Sequence, residues 1–151
     1  MDPVWGGLIA AVIGGVSGAA GGAVANKWTN KVNRTAARLE KRLDDTESAA
    51  VALRIEAISY WTTRSDDEQA GHRIIGLWES LVSHLTAVQE LCASENVESA
   101  SECADRLYEL TTGGNFQGKN REAEPGRRVE IRRACDELCT LIRGVKPKLR
   151  Q

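Results

Sequence analysis

Four cysteines and two histidines are the residues best suited to nucleophilic, redox or metal chemistry in this 151-residue chain. Cys92, Cys103, Cys135 and Cys139 are separated by 10, 31 and 3 residues, a spacing that fits no zinc finger or ribbon. Cys135 and Cys139 stand i, i+4, so one helical turn could present both thiols. All four also fall on apolar helical rows, where a reduced cysteine behaves as a small hydrophobe. An even count permits disulfides, but only in an exported chain. His72 and His84 lie 12 residues apart on one predicted helix, about three turns, and cannot share a metal. Neither has a nucleophile at a recognisable spacing. The residues therefore point to no catalytic, cofactor or metal site, and the expectation is a non-enzyme.

One loop comes close to a phosphate-binding motif. Gly113-x-x-x-x-Gly118-Lys119-Asn120 matches the Walker A pattern except at its last position, which needs a Ser or Thr hydroxyl for magnesium. The motif must also follow a strand and open a helix, whereas this one follows a helical pattern. A loop contacting a partner, or a plain linker, accounts better for Gly113 to Gly126.

The chain that must position these residues is helical throughout its pattern. Its most distinctive stretch runs from Val4 to Ala25, 22 residues with no charge and Ser17 as the single polar side chain. About 20 apolar residues cross a bilayer core, so residues 4–26 form a candidate transmembrane helix. Read every fourth residue, two neighbouring rows are small: Gly6, Ala10, Gly14, Gly18, Gly22 and Gly7, Ala11, Gly15, Ala19, Ala23. Small rows let helix backbones approach closely in lipid. The seven Leu, Ile and Val residues contribute roughly −3 kcal/mol to insertion, which is marginal for one helix and favours self-association.

The flanks set an orientation. From Lys27 to Arg42 six basic residues stand against Glu40 alone, and the other flank carries Asp2. Excess Lys and Arg mark the cytoplasmic side, which places the N-terminus outside. Trp5 and Trp28 are 23 residues apart, about 35 Å of helix, near the spacing of the two interfacial aromatic belts. Lys27, Lys31 and Arg34 could meet anionic lipid. Ala23-Val24-Ala25 resembles a signal-peptidase site, but Met1-Asp2-Pro3 lacks the basic region that a signal peptide needs.

Beyond the apolar stretch the pattern predicts an all-α chain. No Gly or Pro interrupts residues 27–63, and Trp28, Val32, Ala36, Leu39, Leu43, Ala50, Leu53, Ala57 and Tyr60 or Trp61 recur at helical spacing. The first helix is therefore expected to run from about residue 4 to 62. Residues 27–48 read as a basic juxtamembrane stalk, 49–144 as a bundle of about four helices and 145–151 as a basic tail. The second helix is expected over 66–93, opened by a Ser65/Glu68 capping box and carrying Ile74, Trp78, Leu81, Leu85, Val88 and Cys92, with Ile75, Leu77 and Val82 widening the face. The third is expected over 96–112 after an Asn96-region turn, ending at Gly113-Gly114. The fourth is expected over 125–143, with Pro125 at its first position, Val129, Ile131, Cys135, Leu138, Leu141 and Ile142 inward, and Gly144 at its end.

Net charge of −1 gives no general reason to expect nucleic acid. The expected function is a single-pass membrane protein whose cytoplasmic bundle meets a protein partner while its span makes homo-oligomers in membrane lipid. Holins and the transmembrane effectors of bacterial immune systems share that arrangement, which is an analogy of architecture alone. A passive anchor that recruits a soluble partner is the alternative, and a processed, exported helical protein a third reading.

Overall fold

The computed structural model describes the backbone of residues 3–63, 68–118 and 121–145, and the side chains of residues 31, 33–63, 68–118 and 121–145. Four helices occur in order: α1 Pro3–Thr62, α2 Glu68–Leu91, α3 Glu95–Thr112 and α4 Arg127–Val145. No strand occurs among the described residues. The chain divides into two compact units, Met1–Ala37 and Arg38–Gln151. The first is helical from Pro3 onward. The second is an antiparallel four-helix bundle.

Cross-helix contacts fix the direction of each neighbour. On α1 and α4, Arg54 meets Asp136 at 2.8 Å while Glu47 meets Arg143, so one index rises as the other falls. Arg73 of α2 reaches Glu56 of α1 at 2.7 Å. Gln89 donates to Ser101 across α2 and α3, and Trp78 stacks on Tyr108 with centroids 4.7 Å apart. Arg127 at the start of α4 touches the end of α3, whereas Gly144 lies beside Asn96 at the start of α3. Each helix thus runs antiparallel to its neighbour in sequence, an up-down-up-down arrangement.

The core follows the rows expected of amphipathic helices. Leu39, Leu43, Ala50, Leu53, Ala57 and Trp61 are buried on α1, and Ile74, Leu81, Leu85 and Val88 on α2. Val97, Ala100, Leu107 and Ile131, Leu138, Ile142 complete it from α3 and α4. Each fully buried Leu or Ile contributes about 1.5–3 kcal/mol. Where all four helices meet, Leu43, Thr46, Leu85, Val88, Ala100 and Ile142 leave only ≈ 10 Å³ of space, about one water's worth. The Thr46 hydroxyl is satisfied within its own helix, donating to the Arg42 carbonyl at 2.7 Å.

Several boundaries differ from the sequence pattern. The buried core reaches back to Leu39 and Leu43, short of the expected start at residue 49, because α4 returns alongside α1 as far as Val145. Pro125 does not open α4. It sits with Gly126 in a turn closed by Arg127 N–H donating to the Glu124 carbonyl, and the helix begins at Arg127. Gly144 does not end α4 either. A Cβ there would stand 3.0 Å from Asn96 Nδ2, so the glycine permits a close helix approach and buried Val145 follows it. Val129 points outward and is 59% exposed, because it falls off the Ile131–Cys135–Leu138–Ile142 row. Val82 is likewise on the surface. Ser65, half of the expected capping box, and the tail after Val145 lie outside the described residues.

Candidate functional site

The side chains of Trp5, Gly6, Gly7, Ala10, Ala11, Gly14, Gly15, Gly18, Gly22, Lys27 and Trp28 lie outside the described residues, although the backbone there is helical. Among the described residues no helix is long and apolar enough to cross a membrane. Lys31 and Arg34 are described, and both are exposed.

The best-organised polar cluster sits where α1 and α3 end. A helix leaves its last four carbonyls without intrahelical partners. On α3, Glu109 O accepts from Gly113 N–H at 2.8 Å, and Gly114, at φ +68°, then turns the chain away. Thr111 O accepts from the indole Nε1 of Trp61 at 2.9 Å. Arg127 Nη1 donates to the carbonyls of Gly113 at 2.7 Å and Leu110 at 3.4 Å. A cation at a helix C-terminus also opposes the negative end of the dipole. The same guanidinium stacks 3.9 Å from the Trp61 ring centroid and pairs with Glu124 at 3.0 Å. Two side chains from α1 and α4 thus cap α3.

That cluster holds the connection between α3 and α4. Arg121 is 2% exposed, lies 3.9 Å over the Tyr60 ring and donates to the Thr63 carbonyl at 2.9 Å. Gln117 N–H donates to the Tyr60 hydroxyl at 2.8 Å, and Glu124 N–H to the Trp61 carbonyl at 2.8 Å. Phe116 packs against Tyr60 with centroids 5.2 Å apart. The polar loop is therefore fastened to the end of α1. The near-Walker stretch opens no helix, since α4 begins only at Arg127. Sequence reasoning missed Arg121 and Arg127 as structural residues. Their signal was faint: two adjacent aromatics at a helix end, and arginines in a stretch without periodicity.

Cys103, Cys135 and Cys139 form a second cluster. All four cysteines are free; Cys103, Cys135 and Cys139 are buried and Cys92 is half-buried. Cys103 Sγ–H donates to the Ala134 carbonyl at 3.3 Å, and Cys135 Sγ–H to that of Ala50 at 3.4 Å. Each thiol thus spans a helix interface. The i, i+4 pair titrates apart. Cys139 is pulled below the ordinary thiol value, chiefly by the neighbouring Cys135, with help from Arg143 and Arg54. The Cys135 thiol is raised by the same neighbour and by burial. Burial, then Glu137, raises Cys103. Among the described residues no three His, Cys, Asp or Glu side chains converge as a metal site would require.

Neither histidine joins a thiol. His72 is exposed with Nε2 3.8 Å from Glu68. His84 is half-buried, and its Nδ1 has no hydrogen-bond partner. The described clefts are equally spare. One of ≈ 100 Å³ lies between Tyr60, Arg73 and Arg121, well below the usual size of a ligand pocket. Another, ≈ 530 Å³, is an open trough along the outer face of α1 lined by Asp44, Glu47, Ser48, Val51, Ala52 and Ile55. Among the described residues the arrangement caps, clamps and buries. Set against known protein families, curated proteins and solved structures, the chain has no match.

Proposed function

We propose that this is a non-enzymatic, single-pass membrane protein. Residues 4–26 lie in lipid with the N-terminus outside. They self-associate through the small rows of Gly6, Ala10, Gly14, Gly18, Gly22 and Gly7, Ala11, Gly15. The bundle meets a cytosolic protein partner, and the assembled spans perturb the membrane.

One observation carries the reading. Helix α1 runs from Pro3 to Thr62, through an uncharged stretch with seven glycines and into the bundle core at Leu39. In water, seven helical glycines would cost about 6–7 kcal/mol relative to alanine. In lipid the backbone must satisfy its own hydrogen bonds, which favours the helix, and small residues become packing surface. Exposed Lys31, Arg34, Arg38, Lys41 and Arg42 then follow the apolar stretch where an anionic leaflet would meet them.

The test is the triple exchange Gly14→Leu, Gly18→Leu and Gly22→Leu in the full chain. Leucine raises the insertion energy and removes the close-packing surface. The reading expects retention in membranes with loss of cross-linked oligomers and of any permeabilisation. Unchanged oligomers would refute the small-row contact. Exchange of residues 4–26 for an unrelated span separates this reading from a passive anchor, which would keep its activity.

A further inference from the structure

The outer faces of α3 and α4 carry opposite charge. On α3, Glu95, Glu98, Glu102, Asp105 and Glu109 recur at alternating steps of three and four and line one exposed stripe. On α4, Arg128, Arg132 and Arg133 are exposed beside Val129, with Glu130 at the edge of that face. The remaining α4 charges are engaged: Arg127 with Glu124, Glu137 with Arg106, Arg143 with Glu47, and Asp136 with Arg54, although Asp136 stands on the arginine face, three and four residues from Arg133 and Arg132, and is 61% exposed. Among the described residues, neither the five α3 carboxylates nor the three arginines make an ion pair.

Each face also has an apolar element. Val129 is 59% exposed among the arginines. Tyr108, 38% exposed, borders the acidic stripe and is held there by its stack on Trp78. The two helices pack side by side, so their outer faces point away from each other and cannot meet within one copy.

We propose that copies of this chain associate head to tail, the acidic α3 stripe of one against the arginine face of α4 in the next. Such a contact is heterologous, so each copy keeps one free face of each sign and a ring or chain can grow. Single exposed ion pairs contribute little, but a row of them sets partner and register and speeds encounter. Because both faces belong to the bundle, the inference stands independently of whether residues 4–26 lie in lipid.

The test uses two charge-reversed full-length chains. One carries Glu98→Lys, Glu102→Lys and Glu109→Lys; the other carries Arg128→Glu, Arg132→Glu and Arg133→Glu. All six positions are exposed, and helical content by circular dichroism verifies the fold. In sedimentation velocity each reversed chain alone presents two like-charged faces, and its association weakens at least about tenfold. Mixed in equal amounts, the two chains alternate with every contact complementary, and association returns. Reversed chains that assemble as the parent does would overturn the proposal while leaving the glycine-row reading untouched. A monomeric parent, or a mixture that does not recover, would overturn it as well.

Discussion

Trp61 and Thr111 join the ends of two helices 50 residues apart in sequence, the indole Nε1–H of the first donating to the carbonyl of the second at 2.9 Å. The tryptophan is fully buried, and its ring also carries the Arg127 guanidinium. One side chain thus fills the core, caps α3 and seats α4.

Trp61→Phe keeps most of the apolar volume but leaves the Thr111 carbonyl unsatisfied. The cost expected is about 1–3 kcal/mol for the orphaned group, with a further loss from the smaller ring. Thermal unfolding of the full chain would show a midpoint lower by roughly 10 °C or more. A midpoint shift of a degree or two would mean that the cap contributes nothing.

Gly114 is the position where backbone conformation, rather than packing, decides the residue. At φ +68° it turns the chain just past the Gly113 cap of α3, and a Cβ would stand 2.8 Å from Arg127 Nη2. Gly114→Ala therefore strains the backbone and pushes away the capping arginine, for about 1–2 kcal/mol. Limited proteolysis is expected to cut sooner within residues 113–126, since the loop depends on that fastening. Gly126→Ala, where a Cβ would meet nothing within 4 Å, serves as the control.

Thiol titration gives a pH dependence whose sign can be worked out. Cys103 and Cys135 hold their protons more tightly in the folded chain than in the unfolded one. Their contribution is complete below the ordinary thiol value and is lost as pH climbs toward the raised folded values. Cys139 acts oppositely: its contribution is present above the ordinary value and is lost as pH falls through its depressed one. With two thiols against one, stability should fall on the alkaline side. The urea midpoint of the parent is expected to drop more between about pH 8 and pH 10 than that of Cys103→Ala. Equal drops would show that Cys103 is not held neutral by its burial.

Much of the bundle was legible from periodicity. Ile74, Leu81, Leu85 and Val88, or Ala100, Cys103 and Leu107, recur at steps that place them on one face, and all are buried. Helix ends were harder. Pro125 carries a strong local signal for a first helical turn, but Gly126 beside it takes the turn instead. Gly144 reads as a terminator until the approach of Asn96 supplies another reason for a missing side chain. The loop was least legible of all. Arg121 and Arg127 look like solvated charges in sequence, and only the fold brings them over Tyr60 and Trp61. Long-range stacking of that kind leaves no period to read.

Flotation of the full-length chain with liposomes, without detergent, decides whether residues 4–26 lie in lipid. The protein is expected to rise with the lipid, to stay there after an alkaline wash and to cross-link to copies of itself. A chain that remains at the bottom of the gradient as a freely soluble monomer would contradict that placement.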